Sequence, residues 1–399
     1  MSLASLGGNP VRGIQPKRFK WFDGFDPSPL LEVIHESKLS GFLASKSEEH
    51  FGGKYIRELE EIWSREFQVE HSVSFNSWTS GLEASLASCA LTPGGEVITP
   101  AWTMSATVAA IVHCNLKPFF VDIDPNTFNL DVELIYEAIT PKTVAIMGVD
   151  IFGKPCAAPR IREICDEKGL KFIVDAAQTP LATILGKRST YYAHVGGYSL
   201  NRHKHLQVGE GGIAVTNDEL IAKRMRLFRN HSEVSSQTFD RSLPVGHNFR
   251  MGEMEALLAN FQLSKLNPLV EARQNYGRYL VKELKRFEWI NLDQEESYID
   301  HDFYILGFSI SDEFLERAGG RDVIVHALRA EGLTELVAQY GNLHKLPAFS
   351  DFGKTKMTNT EKLSEKNFLG IYLCGYEYTI NDLDIIVEMF EKIDKHFCS

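Results

Sequence analysis

Three short stretches of the chain carry side chains that could do chemistry together: a lysine, an acid and a polar turn. In GGYSLNRHKHLQVGEGGIAV, Lys204 stands between His203 and His205, five residues after Ser199 and five before Gly209-Glu210-Gly211-Gly212. A lysine amine that has lost its proton attacks carbonyl groups and takes protons from carbon, and the glycines permit tight backbone turns beside it. In KFIVDAAQ an apolar run delivers Asp175 and then Gln178. An acid placed after a buried strand needs a partner or should protonate, and a cationic ring nitrogen is one such partner. In VSFNSWTSGLEASL the polar turn from Asn76 to Ser80 lies between a strand-like and a helix-like run. Free backbone N–H groups and the helix dipole converge at such a turn and suit a phosphate. Each stretch also has a plain reading when taken alone: a helix N-cap, a solvated or salt-bridged acid, a basic surface patch.

The elements around these residues alternate. YIRELEEIWSREF and SGLEASLASCAL have helical spacing, with the short apolar strand VSF between them. EVITP, KPFFVDI, TVAIMGVDI and KFIVDA read as buried strands, and MSATVAAIVHC, LDVELIYEAI and PRIREICDEKG as the intervening helices. This order specifies a parallel sheet covered on both faces, and ligands of such sheets bind at the carboxyl ends of the strands. After GGYSLN and GGIAVTN the pattern becomes one long helical stretch, MGEMEALLANFQLSKL continuing through VEARQNYGRYLVKELKRF, long enough to bridge two domains. The last hundred residues mix the strand-like FYILGFSI with the helices RDVIVHALRAEG and DLDIIVEMFEKIDKHF, as in a smaller α+β domain. SDFGKTKMTNTEKLSEKN is polar and reads as a surface connection or a lid.

Composition narrows the function classes. With 399 residues, 44% hydrophobic and 24% charged, the chain can bury a large core, and its length favours two domains. A formal net charge of −11 lacks the basic surplus of nucleic-acid binders, so the expected partners are small molecules. The six cysteines are scattered with no CxxC pair and no zinc-ligand spacing, so reduced thiols and no metal are expected. MSLASLGGNPVRG has no apolar signal core, and no uninterrupted apolar stretch is long enough for a membrane span. These features give the expectation of a cytoplasmic protein.

NSWTSGLEASL, PAWTMSAT, VDAAQ, SLNRHKHLQVGEGG and HNFRMGEMEA stand in the order found in the DegT/DnrJ/EryC1/StrS aminotransferase family, which the chain resembles from GGNPVR to about residue 275. The resemblance implies the α/β, aspartate-aminotransferase-like fold type I: a large domain with a mostly parallel sheet between helices, plus a smaller C-terminal α+β domain. The expected division is 1–255 for the large cofactor-binding domain with its N-terminal arm, and 256–399 for the small domain, joined by the long helix.

It further implies pyridoxal 5′-phosphate (PLP) as cofactor. Lys204 would hold PLP as a Schiff base and, once displaced, shuttle protons. Asp175 would pair with the pyridine nitrogen, and Gln178 resembles the residue that hydrogen-bonds the ring hydroxyl. The phosphate would rest on Trp78 and Thr79 with the Ser199 hydroxyl, and Asn248 resembles an asparagine that reaches in from a second subunit, implying a homodimer with shared active sites. Glu210 and Arg250 also match family positions and are read as structural.

Two positions depart from the family pattern: Trp78 replaces the usual glycine, where a bulky side chain would alter the approach to the phosphate or intrude on the substrate pocket, and Met104 replaces an aromatic that stacks on the PLP ring, a loss for which Trp78 or Trp102 could compensate. A branch of the family carries histidine in place of the lysine and dehydrates sugars. The frame set by Ser199 and Gly209 puts Lys204 at the Schiff-base position, leaving His203 and His205 as neighbours that tune the local field or face solvent.

The implied activity moves an amino group from glutamate or glutamine to a keto group of a sugar-like substrate, a nucleotide-linked ketosugar of surface-polysaccharide or secondary-metabolite biosynthesis. Alternatives stay open: a ketocyclitol or small phosphorylated ketone as acceptor, a PLP-dependent sugar dehydratase, or a PLP-binding regulator without turnover. GGNPVR resembles members acting on aminocyclitols. YGNLHKLPAF partly resembles the family's substrate-side loop, while IYLCGYEYT lacks its Ser-Leu-Pro character.

Overall fold

The computed structural model describes residues 2–11, 16–43, 48–235, 238–239, 245–293 and 296–398. Runs rich in β-branched and aromatic residues form the main sheet: β1 (His71–Phe75), β2 (Glu96–Pro100), β3 (Lys117–Val121), β4 (Thr143–Val149), β5 (Lys171–Asp175), β6 (Val195–Ser199) and β7 (Gly212–Thr216). Their spatial order is β1-β7-β6-β5-β4-β2-β3. Only β7 runs against the rest, antiparallel to both β1 and β6. The carboxyl ends of the six other strands therefore share one edge, and β7 starts there.

Both faces of this sheet are covered, and successive residues of a strand serve opposite sides. Phe172 and Val174 join one core with Leu59 and Trp63 of α1 (Lys54–Phe67), while Ile173 between them joins the other with Leu82 of α2 (Trp78–Ser88) and Ile111 of α3 (Ser105–His113). The first face also receives Ile161 of α4 (Ala158–Lys168), the second Met225 of α5 (Glu219–Arg229). Truncating a buried residue such as Ile146 to alanine should cost about 2–5 kcal/mol.

The long helical stretch is two helices, α6 (Glu253–Leu263) and α7 (Leu266–Leu284). Pro268 explains the break: it has no N–H to bond back to Ser264, and a first turn is where a helix tolerates proline. α7 contributes Leu266 and Val270 to the main core and Leu280 and Leu284 to a second one. That second core lies against an antiparallel sheet of β8 (Ile290–Leu292), β9 (Ile305–Ile310), β10 (Leu336–Val337) and β11 (Phe368–Tyr372), ordered β8-β9-β11-β10. Helices α8 (Arg321–Glu331) and α9 (Ile380–Cys398) pack on it. The N-terminal arm joins this second core: Leu3 is buried in it, and Glu331 accepts from the backbone N–H groups of Ala4 and Val11.

Two further segments differ from the expectation. LDVELIYEAI is a 3-10 turn, Val132–Leu134, followed by only four α-helical residues, Ile135–Ala138. The polar stretch from Ser350 to Asn367 contains the helix Thr358–Lys362 and a π-helical turn, Leu363–Asn367. Buried Asp122 fixes it by accepting from Asn359 N at 2.7 Å, Thr360 N at 2.8 Å and Thr360 Oγ1 at 2.7 Å, so it is neither a plain surface connection nor a lid. All six cysteines are unpaired, and no helix among the described residues is long and apolar enough to cross a membrane.

Candidate active site

The shared strand edge opens into a cavity of 470 Å³. Trp78, Thr79, Met104, Asp175, Gln178, Ser199 and Lys204 all line it, seven of the eight residues that the sequence nominates. The eighth, Asn248, is exposed outside it, its Oδ1 accepting from Arg250 Nε at 2.7 Å.

At the end of β1, Ser77 adopts an extended N-cap conformation and its Oγ accepts from Ser80 N at 3.1 Å. That leaves the first-turn amides of Trp78 and Thr79 without intrahelical acceptors, the condition for anion binding. Gly212, which pairs with Phe75 on one side and Ser199 on the other, lets this turn approach: a Cβ there would lie 2.5 Å from Trp78 N. Ser199 itself closes β6, and its Oγ accepts from Asn201 N at 3.3 Å.

Asp175 ends β5, buried, and is thoroughly held. Its Oδ1 accepts from Trp78 Nε1 at 2.8 Å and Ala177 N at 3.2 Å, and its Oδ2 from Thr107 Oγ1 at 2.7 Å. Thr107 is in turn bonded to Thr103 at 2.9 Å. Trp78 therefore turns its side chain under the floor, 4% exposed, and does not intrude on the cavity as a bulky group in place of glycine could.

The Lys204 amine sits 4.8 Å from the centre of the Tyr304 ring and donates to no acceptor among the described residues. Burial pulls its pKa below the usual lysine value, with the charge of Asp175 opposing. Burial disfavours the charged ammonium, so the free base that attacks carbonyls becomes available at lower pH. Gln178 Oε1 accepts from Phe152 N at 2.7 Å and its Nε2 donates to Tyr340 Oη at 3.1 Å. One of its two amide protons stays unassigned. Beside it, Asp150 accepts from Cys156 N at 2.8 Å, from Thr179 Oγ1 at 2.7 Å and from Ser189, and burial raises its carboxyl to about 6.

The two histidines separate. His203 is exposed at the cavity mouth. His205 is buried, bonded to Arg273 Nη1 at 2.8 Å and held well below the usual imidazole range by burial and that guanidinium, so it does not face solvent. Met104 is the uncapped residue before α3 and is 62% exposed on the rim. Trp102 is fully buried in a separate aromatic cluster with Phe128 and Phe368 and does not line the cavity, which removes it as a substitute for the stacking aromatic.

Sequence reasoning missed Thr107, Tyr304 and Tyr340. Thr107 closes PAWTMSAT, three residues after Met104, where one helical turn brings it back toward the cavity. Tyr304 is the second residue of FYILGFSI and Tyr340 follows β10, and nothing local marks either as facing a site whose other residues lie far earlier in the chain.

Comparison with known proteins decides the family: the model of the DegT/DnrJ/EryC1/StrS aminotransferase family matches residues 37–372. The chain belongs to that family. The match starts after GGNPVR and continues well beyond residue 275, through the whole antiparallel sheet. Among DegT/DnrJ/EryC1/StrS relatives, the GDP-perosamine synthase of Caulobacter vibrioides is 33% identical over 234 residues, 59% of this chain and 63% of that protein. The matched segment thus spans less than two thirds of that relative. The GDP-perosamine synthase of Vibrio cholerae is 28% identical over 275 residues, 69% of this chain and 73% of that protein. The crystal structure of 3-amino-5-hydroxybenzoic acid synthase superposes with a TM-score of 0.83 at 21% identity, covering 96% of this chain and 100% of the other. The fold is thus that of the fold-type-I aminotransferases, a large mixed α/β domain with a smaller C-terminal one.

Proposed function

We propose that this chain is a PLP-dependent aminotransferase that takes an amino group from glutamate or glutamine and delivers it to the keto group of a nucleotide-linked ketosugar. The observation that carries this reading is a desolvated amine with no hydrogen-bond acceptor among the described residues, Lys204, in the same cavity as the Asp175 carboxylate and the open amides of Trp78 and Thr79. These groups fit PLP end to end: an amine for its aldehyde, a carboxylate for its ring nitrogen, helix amides with the Ser199 hydroxyl for its phosphate, and the spare Gln178 amide proton for its ring hydroxyl. Met104 would border the ring from the rim. When bound, PLP supplies a conjugated cationic ring that accepts the electron pair left on the substrate carbon.

The protein's own groups do the rest. Lys204 Nζ, its proton affinity lowered by burial, takes the proton from the substrate carbon and returns one to the acceptor carbon. Asp175, fixed by Trp78, Thr107 and Ala177, would present its carboxyl group to the ring nitrogen. The reading assigns these roles to residues 1–255 and the smaller part of the wall, with Tyr304 and Tyr340, to residues 256–399. A second copy of the chain would supply its Asn248, making the protein a homodimer, and the location would be the cytoplasm.

The sugar class of the acceptor is favoured by relatives named as GDP-perosamine synthases. The test starts with PLP-loaded protein and glutamate or glutamine, followed by absorbance for formation of the pyridoxamine form. That form is then offered nucleotide ketosugars, ketocyclitols and small phosphorylated ketones. Restoration of the starting spectrum by a nucleotide ketosugar supports the reading, and restoration only by one of the others corrects the acceptor. No pyridoxamine form with either donor overturns the aminotransferase and leaves a dehydratase or a regulator.

A further inference from the structure

The indole of Trp78 has a defined place. Glycines grip its benzene edge: a Cβ at Gly197 would lie 2.5 Å from both Cζ3 and Cη2, and a Cβ at Gly81 2.5 Å from Cε3 and 2.7 Å from Cζ3. With that edge wedged between α2 and β6, the pyrrole edge faces Asp175, and Nε1 donates to Oδ1 at 2.8 Å. Ala177 N donates to the same oxygen at 3.2 Å. An ionised carboxylate oxygen accepts about two hydrogen bonds, so Oδ1 is filled. Oδ2 has one donor, Thr107, and keeps room for another.

We propose that Trp78 is a positioning residue that clamps the Asp175 carboxylate through Oδ1, so that Oδ2 is the oxygen offered to the ring nitrogen of the cofactor. This rests on the cofactor assigned under the proposed function and on nothing about the acceptor. Without the indole N–H, the carboxylate loses the only side-chain donor that Oδ1 has among the described residues. The backbone amide of Ala177 and the hydroxyl of Thr107, which can rotate, then hold it alone. Geometry fixed before the cofactor arrives is lost, and binding weakens by the cost of ordering it.

The test is a double-mutant cycle read as PLP affinity, by titrating apoprotein prepared from purified holoprotein and following the visible band of bound PLP. Trp78→Phe keeps an aromatic ring in the slot and removes the donor. We expect it to weaken PLP binding about tenfold, the size of one lost hydrogen bond to a charged group, and to change affinity less than about twofold when Asp175→Ala is already present. Equal losses in both backgrounds, or none in the wild-type background, overturn the proposal, because a packing role does not depend on Asp175. If Trp78→Phe does not fold, 3-benzothienylalanine at position 78 preserves the ring shape with sulfur in place of N–H, and the same two outcomes decide. Absence of the visible band in wild-type protein overturns the cofactor reading together with this one. Failure of glutamate and glutamine to react leaves the clamp measurable and unaffected.

Discussion

On the floor of the cavity, Trp78, Asp175 and Gln178 are buried and each has its polar side-chain atoms engaged, whereas at the rim Met104 is 62% exposed and His203 and Glu210 face solvent. The floor is made of strand ends whose register is fixed by the sheet, with Val149 opposite Asp175 and Asp175 opposite Gly197. The rim is made of connecting segments and of residues from the second sheet. A floor so bonded holds a group in one pose, and a rim with spare exposure leaves the bound partner to be chosen by shape. Under the proposed function, the difference would put recognition of the cofactor on the floor and choice of acceptor on the rim.

Substitutions on the two sides should separate sharply. The largest effect belongs to Lys204→Ala, which removes the amine and should lower amino transfer by at least about a thousandfold, measured as single-turnover rate with the amino donor. A comparable loss from a rim substitution would erase the distinction.

Asp150 gives the next effect, and it is one of stability against pH. Its folded pKa of about 6 lies above the ordinary 3.8 because burial opposes ionisation. The native state therefore favours the protonated form, and the stability it contributes is present below about pH 4 and lost as pH rises through about 6. That loss is on the order of 3 kcal/mol. The stability of the wild type, by urea midpoint, should fall relative to Asp150→Asn across that window and run parallel to it above. Parallel curves throughout would remove Asp150 as a titrating floor residue.

Gly212→Ala should destabilise by about 1–3 kcal/mol, since the new Cβ meets the Trp78 backbone and cannot be relieved by a rotamer change. Thermal unfolding measures it. The smallest effect is at the rim: Met104→Ala should change PLP affinity less than about threefold, because the side chain is largely in solvent. A tenfold loss would mean that the methionine stacks on the ring as firmly as an aromatic.

The floor was also the legible part. Apolar runs announced β1 to β5, and with the order of elements they placed Asp175 at the carboxyl end of a parallel strand, whereas the role of Lys204 came from the family resemblance. The spacing of Ser199, Lys204 and Gly209 distinguished the lysine from its histidine neighbours. What could not be read depends on which way a side chain turns. Trp78 looked like an obstruction to the phosphate because its rotamer is set by Gly81 and Gly197, one in its own helix and one on a strand over a hundred residues away. Whether His205 faces solvent could not be read because Arg273, to which it is bonded, comes from α7. Tyr304 and Tyr340 were invisible for the same reason. The break before α7 was missed because continuous helical spacing on either side masked Pro268.

The central claim is that one lysine amine holds the cofactor, and borohydride reduction of the PLP-loaded protein followed by peptide mass analysis measures it. The account predicts a reduced PLP adduct on the peptide containing Lys204, and none on any other lysine. Cofactor fixed elsewhere, or not fixed at all by a protein that binds it, would contradict the account.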